Sequence, residues 1–462
     1  MLVPAHVFRE YDIRGIADRE LSSDLIRATG EAFAAAVIEQ APKGKKLSIA
    51  VGRDCRLSSS RLFEALAEGL TRAGVDVIDI GVGPTPLLYF AVHHLDTDGG
   101  VMITGSHNPG DENGLKLMKG KASFFGEEIR HLRDRVALPL PRPSGPAGSI
   151  RKVDVSEAYV ARVAEGMELA GSGLRVVVDA GNGSAGPLGI AALRRAGLDP
   201  DALFCEMDGR FPNHHPDPTV IENLAALIAR VKETKASVGI AWDGDGDRLG
   251  AVDATGEVVW GDKLMVLFAR DVLRHRPGAA ILGEVKCSQT LYDDIEKHGG
   301  RPILWKTGHS NIKTKMKEEG ALLAGEMSGH LFFADRYYGY DDGIYGALRL
   351  LQILAQSKKT IGELLADLPI TFVTPELRVQ CPDDLKFEVV DRVRDRYRKK
   401  YEVIDVDGAR ILFGDGAWGL VRASNTGPVL VLRFEARTER RRDELRAEVE
   451  KAVAEERKAL MA

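Results

Sequence analysis

With 462 residues the chain exceeds what one hydrophobic core organises, so several domains are expected. Its apolar share of 44% and charged share of 28% are ordinary for a soluble globular protein, and a net charge of −5 excludes the broad basic face of a nucleic-acid binder. A local cluster of Arg and Lys can still hold an anionic substrate against that global sign, and 49 glycines, about 11% against a typical share near 7%, supply backbone for phosphate-cradling loops.

The N-terminus turns charged at Arg9 and carries no apolar signal stretch, and no apolar run approaches membrane-spanning length. A cytoplasmic protein with no membrane and no nucleic-acid partner is the expectation. The first strand-and-loop unit is Leu47 to Asp54, a short apolar run ending on aspartate, followed by a helix from Ser60 to Ala73. A second apolar run, Gly100 to Thr104, leads into Gly105-Ser106-His107-Asn108-Pro109. Four prolines and two glycines between Leu138 and Gly148 mark a linker. Leu174 to Gly183 repeats the strand-then-Asp/Gly pattern, a helix is expected from Ile221 to Lys235, and Val238 to Asp247 is the third copy. Strands alternating with helices indicate mixed or parallel α/β sheets, whose ligands gather at the C-terminal strand ends. Further boundaries are placed at the Thr-Gly turn within Asp253 to Gly256 and at Leu368 to Pro375. The run Val429 to Phe434 reads as a strand, and in the tail from Thr438 to Ala462 the residues Leu445, Val449, Ala452, Val453 and Leu460 share one helical face. Cys55, Cys205, Cys287 and Cys381 are scattered, with no C-x-x-C pair, and read as reduced thiols.

Four segments carry chemistry. In Asp243-Gly244-Asp245-Gly246-Asp247-Arg248, carboxylates alternating with glycine offer three hard oxygen ligands, suited to Mg²⁺ or Ca²⁺ rather than zinc. An EF-hand is excluded, because its required glycine and glutamate positions hold Arg248 and Ala254. Three ligands leave room for a phosphoryl oxygen; the competing reading is a solvated acidic turn. Ser106 lies at a strand end and is expected to be exposed. His107, Asn108 and Asn113 supply donors around it, and Lys116 is placed to neutralise an attached phosphate or to handle protons. The G-x-S-x-G elbow of acyl transfer is absent, since Thr104 and Asn108 stand at its glycine positions. Arg422-Ala-Ser424-Asn425-Thr426-Gly-Pro428 combines a guanidinium, two hydroxyls and an amide as a phosphate clamp on a strand edge, although the same letters also make a surface turn. In Gly325-Glu326-Met327-Ser328-Gly329-His330, Glu326 and Ser328 suit sugar hydroxyls, and His330 suits a proton shuttle or a satisfied core histidine.

Taken in order from Phe8-Arg-Glu-Tyr-Asp-Ile-Arg-Gly15 to the tail, these segments resemble the α-D-phosphohexomutase superfamily, and within it the bacterial phosphomannomutase/phosphoglucomutase group. The resemblance implies an α/β fold of four domains around a central cleft, the first three of related mixed-sheet topology and the fourth a smaller α+β lid. The bounds expected are 1–148 for the phosphoserine domain, 149–253 for the metal domain, 254–368 for the sugar domain and 369–462 for the phosphate domain. It implies Ser106 as phosphoserine and, with Asp243, Asp245 and Asp247, as a Mg²⁺ ligand. Glu326 and Ser328 would grip the 3- and 4-hydroxyls, and Arg422, Ser424, Asn425 and Thr426 the distal phosphate. Tyr11, Lys286, Thr307, Gly308 and His309 would line the substrate site, and Arg14, Lys116, Arg248 and His330 would serve catalysis. Lys116, His330 and Arg14, in that order, are the expected general bases. The implied reaction moves a phosphoryl group reversibly between the 1- and 6-positions of mannose and glucose phosphates, through a glucose 1,6-bisphosphate type of intermediate that reorients. Phosphohexoses are its expected partners and a monomer its expected form. Gly105 and Met327 fit the mannose/glucose group, whereas glucosamine-phosphate mutases show Ala and Gln there. A phosphoglucosamine mutase and a metal-dependent sugar phosphatase stay open as alternatives.

Overall fold

A computed structural model describes residues 3–42, 44–138, 146–424 and 427–461. Most of the linker expected between Leu138 and Gly148, together with Asn425 and Thr426 of the expected clamp, lies outside the described residues. The chain divides into two compact units, Met1–Phe268 with Ser328–Leu364, and Ala269–Met327 with Leu365–Ala462.

The first unit opens with β1 (Ile13–Ile16), α1 (Ser23–Ile38), β2 (Ser48–Arg53), α2 (Ser59–Arg72), β3 (Asp76–Val82), α3 (Thr85–His94), β4 (Gly99–Ile103) and β5 (Glu112–Lys119). The sheet order is β1-β5-β4-β2-β3, closed by the strand Ile150–Lys152. β2 runs parallel to β3 and β4, while β5 is antiparallel to β4 and β1. Every residue of β4 is buried, as is the middle of β2, because parallel strands covered on both faces read as continuous apolar runs. α1 starts where Ser22 Oγ accepts from Leu25 N at 3.2 Å, with Asp24 in its first turn complementing the helix dipole. It shares with α2 a core that includes Ile26, Phe33, Leu62, Leu66, Val51 and Val77.

A second sheet in this unit has the order Val258–Val259, Leu249–Asp253, Val238–Trp242, Val176–Asp179, Asp201–Leu203. Val238–Trp242 is parallel to Val176–Asp179 and antiparallel to Leu249–Asp253. The turn at the expected boundary, Asp253 to Gly256, links two paired strands, Val258–Val259 lying antiparallel to Leu249–Asp253. The helix expected from Ile221 to Lys235 is a 3₁₀ turn, Ile221–Leu224, running into Ala225–Thr234.

In the second unit Arg301–Trp305, Ala280–Glu284 and Leu323–Gly325 form a parallel ladder. A further antiparallel sheet orders Phe372–Val373, Val429–Ala436, Ala417–Ala423, Ala409–Gly414 and Glu402–Ile404. Ala417–Ala423 and Val429–Ala436, the strands that flank the expected clamp, are each paired on both sides. The helix Glu439–Met461 buries Leu445, Val449, Ala452 and Val453, with Leu460 half-buried on the same core. Burying each Leu or Val there contributes about 1.5–3 kcal/mol. The four cysteines are free thiols. Among the described residues no helix is long and apolar enough to cross a membrane.

Candidate active site

Ser106 follows β4 at a sheet end and sits in the left-handed region, φ +50°, which a residue with a Cβ adopts only at a cost of about 1 kcal/mol. Its neighbours hold it there. The Ser106 amide donates to Thr104 Oγ1 at 2.8 Å, and the Ser106 carbonyl accepts from Arg56 NH2 at 2.8 Å. Contrary to the expectation of exposure, the residue is only 2% accessible. Asp54, Arg56 and the second sheet's loop close over it, which strand-end position alone does not reveal. The hydroxyl donates to Asp243 Oδ2 at 3.1 Å and lies 3.2 Å from His107 Nδ1. Burial and the charges of Arg248 and Arg14 push His107 well below the usual imidazole range, so the ring beside the hydroxyl is neutral.

Asp243, Asp245 and Asp247 follow the wholly buried strand Val238–Trp242, and all three are themselves buried. Their loop can lie against the serine loop because Gly244 has no Cβ, which would fall 2.3 Å from Ser106 O. Carboxylate oxygens of the three lie within 4.8 Å of one another. Asp245 Oδ2 accepts from Thr85 Oγ1 at 2.5 Å and from Lys116 Nζ at 2.7 Å, and Asp247 Oδ2 accepts from Lys116 Nζ at 2.5 Å. Asp245 Oδ1 and Asp247 Oδ1 are buried without a hydrogen-bond partner among the described residues. Burial, then Asp245 and Asp247, push Asp243 well above the carboxylate range. Orphaned hard oxygens and a carboxylate whose charge burial and its neighbours oppose fit a divalent cation. Burial works against the charge on Lys116, but Asp245 and Asp247 outweigh it and raise the ammonium's pKa. Burial likewise opposes, and Asp12 at 2.7 Å restores, the charge of Arg14, whose NH1 donates to Gly105 O at 2.7 Å. Arg248 Nε donates to His330 Nε2 at 2.9 Å, and His330 Nδ1 is 3.0 Å from Asp341 Oδ2. A guanidinium only donates, so the ring's Nε2 is the lone-pair nitrogen.

The second unit builds a separate cluster. Glu284, at the end of the strand Ala280–Glu284, accepts from Lys286 N and from Thr307 Oγ1, each at 2.8 Å. Gly308 N donates to Glu326 Oε1 at 2.8 Å, at the start of the helix His309–Glu319. Lys286 Nζ reaches Glu376 Oε2 at 3.3 Å; burial opposes that carboxylate's charge, but Lys286 and Arg378 hold its pKa at about 2. Asp407 Oδ2 accepts from Thr307 N and from Arg422 Nε, both at 3.0 Å, and so ties the clamp arginine to the Thr307 loop. Ser424 is buried, and its amide donates to Val429 O at 3.0 Å across the hairpin turn.

The chain matches four domain families: phosphoglucomutase/phosphomannomutase α/β/α domains I, II and III over residues 5–137, 157–256 and 260–372, and the C-terminal domain over 376–452. It is 46% identical over 438 residues to a phosphomannomutase/phosphoglucomutase of Pseudomonas putida, covering 94% of this chain and 92% of that one. The chain belongs to the phosphoglucomutase/phosphomannomutase family. A phosphoglucomutase of Neisseria gonorrhoeae is 44% identical over 436 residues, covering 94% of this chain and 93% of the relative. The crystal structure of a phosphoglucomutase/phosphomannomutase family protein from Burkholderia thailandensis superposes with a TM-score of 0.91 at 41% identity, covering 98% of both chains.

Of the residues singled out in this family member's sequence, Arg14, Ser106, Lys116, Asp243, Asp245, Asp247, Arg248 and His330 meet in the first unit. Lys286, Thr307, Gly308, Glu326 and Arg422 are joined through Glu284 and Asp407 in the second. Tyr11 and Ser328 are half-buried in the first unit, and His309 is half-buried in the second. Sequence reasoning passed over Asp54, Arg56, Thr85, Glu284 and Asp407, which orient the reactive groups. For Asp54 a signal existed, because it ends the first of the three strand-and-aspartate repeats. Glu112 accepts from Asn108 Nδ2 at 2.7 Å and braces the serine loop.

Proposed function

We propose that the chain is a phosphohexose mutase that moves a phosphoryl group between the 1- and 6-positions of glucose and mannose phosphates. The relatives named phosphomannomutase/phosphoglucomutase and phosphoglucomutase support the reaction. The observation that carries it here is Ser106 Oγ, 3.1 Å from Asp243 Oδ2 at the rim of three buried carboxylates. A phosphoryl group on that hydroxyl would meet hard-cation ligands, with Lys116 bound to two of them and Arg14 bound to the neighbouring Gly105 carbonyl.

Asp243, Asp245, Asp247 and a phosphoserine oxygen would hold Mg²⁺, which when bound offsets charge on the transferring oxygens. Lys116 and Arg14, kept charged by their aspartates, neutralise the about −1.5 to −2 charge of a phosphoserine. Arg422 holds the phosphate already on the sugar, with Ser424, Asn425 and Thr426, and Glu326 and Ser328 read the 3- and 4-hydroxyls. Tyr11, Lys286, Thr307, Gly308 and His309 line the substrate site. As the bond between Ser106 Oγ and phosphorus breaks, one forms to the sugar's 6-oxygen, whose proton leaves to a base. His330, whose Nε2 accepts from Arg248 Nε, and Lys116, whose Nζ donates to Asp245 and Asp247, are the candidates for that base. The hexose 1,6-bisphosphate turns over, and its other phosphoryl group returns to Ser106. A sugar gripped at its 3- and 4-hydroxyls leaves the 2-hydroxyl unread, which suits both glucose and mannose. Burial of Ser106 limits water and favours transfer over hydrolysis.

Within this reading residues 1–148, 149–253, 254–368 and 369–462 carry phosphoserine, metal, sugar and phosphate functions, a division that the four family matches support. A coupled assay with glucose 1-phosphate and mannose 1-phosphate tests the proposal. The 6-phosphates are expected without steady inorganic phosphate; steady release would move the assignment to a phosphatase. Turnover of glucosamine 6-phosphate equal to or above that of mannose 6-phosphate would move it to the glucosamine branch.

A further inference from the structure

Arg56 has no direct place in the chemistry described, yet its surroundings are unusual for a structural arginine. Its side chain is fully buried, with Asp54 Oδ2 at 3.2 Å from Nε as its ion-pair partner. NH1 donates to Pro109 O at 2.5 Å and Glu112 O at 3.0 Å, and NH2 donates to Ser106 O at 2.8 Å and Asn108 O at 2.6 Å. Three of these carbonyls belong to the serine loop and the fourth to Glu112, the first residue of β5, and none to a helix end. Asp54 completes the frame by accepting from Gly105 N at 3.0 Å, from Arg56 N at 3.0 Å and from Ser59 Oγ at 2.6 Å. The ring of Phe211 covers the guanidinium, its centroid 5.1 Å away.

A buried charge costs free energy unless its donors are well matched, and a planar five-donor fork is the one side chain that can satisfy so many carbonyls at once. From these contacts we propose that Arg56 is a positioning residue of the mutase, the group that holds Ser106 in its left-handed conformation and aims Oγ at the aspartates. The inference rests on the mutase reading above. Thr104 Oγ1 fixes the amide side of Ser106 and Arg56 the carbonyl side, so both flanking peptide planes are set. Because a trans peptide is planar, drawing the Ser106 carbonyl toward Arg56 turns the His107 amide the opposite way. The guanidinium occupies the space beside Gly105, where a Cβ would fall 2.5 Å from Arg56 Cζ and Nε. Arg56 thus also accounts for glycine before the serine.

Two variants test this, Arg56→Lys, which keeps the charge and loses the fork, and Gly105→Ala, which pushes the fork aside. Each is expected to lower kcat at least about a hundredfold while KM for glucose 1-phosphate changes less than about threefold. Their losses should be non-additive, since both act on one contact set. Amide hydrogen exchange over residues 105–113 should accelerate at least about tenfold in Arg56→Lys, with little change elsewhere. A kcat near the wild-type value in Arg56→Lys, a loss confined to KM, or losses that multiply in the double variant would overturn the proposal. The exchange measurement needs no turnover, so unchanged loop protection counts against Arg56 alone, whereas a wild-type chain that fails to isomerise sugar phosphates counts against the mutase reading.

Discussion

Asp243 is the residue whose surroundings most need a positive charge. Buried beside Asp245 and Asp247, it is pushed well above the carboxylate range, and a divalent cation removes the conflict. Adding Mg²⁺ to metal-stripped protein should therefore raise its melting temperature, with about 2.7 kcal/mol of stabilisation at a hundred times the dissociation constant. In Asp243→Asn the shift should vanish and mutase activity should fall at least about a hundredfold; a metal shift that survives would place the cation elsewhere. Arg422 is the matching test on the second unit. Its Nε is oriented by Asp407, and Arg422→Ala should weaken hexose phosphate binding more than about tenfold, ~1.4 kcal/mol, by calorimetry. Unchanged affinity would remove Arg422 from the phosphate site.

At the scale of elements, buried polar side chains fix the loops that carry function. Arg56 gathers the serine-loop carbonyls, and in the second unit Arg410 NH1 donates to Val285 O at 2.6 Å and Cys287 O at 2.8 Å while Arg433 NH1 donates to Lys286 O at 2.6 Å. The helix Gly343–Ser357 shows what such burial costs. Its cap, Asp342, accepts from Tyr345 N at 2.9 Å, Tyr337 OH at 2.8 Å and Tyr159 OH at 3.1 Å, yet burial still pushes its pKa up to about 6. A raised folded-state pKa stabilises below the unfolded value and loses that stabilisation as pH rises through about 6. Between about pH 4 and pH 7, Asp342→Asn should therefore gain on the wild type by about 3 kcal/mol in urea unfolding, and a pH-independent difference would contradict the assignment. Most elements were legible from periodicity, including α2 within one residue of Ser60 to Ala73 and the terminal helix with its Leu445, Val449 and Val453 face. At Asp253 to Gly256 the Thr-Gly pair marked the turn, whereas the pairing of the strands on either side of it was not legible locally.

For the whole molecule, the serine, clustered acids and basic residues proposed for phosphoryl transfer stood out in the sequence because that chemistry draws on a narrow vocabulary of residue types. Their supports did not. Asp54, Arg56, Glu284 and Asp407 act through backbone atoms far away in sequence, and nothing local marks a side chain that will meet a distant carbonyl or amide. The burial of Ser106 was hidden for the same reason, since Asp243 approaches from 137 residues away. If Ser106 is a reversible phosphoryl carrier, as proposed, labelled phosphate can be followed from hexose 1,6-bisphosphate onto the protein and off again, the most direct measurement of that role. The label should appear on Ser106 alone, chase quantitatively into hexose 6-phosphate when unlabelled glucose 1-phosphate is added, and be absent from Ser106→Ala. Label on another residue, or a chase into inorganic phosphate, would contradict the account.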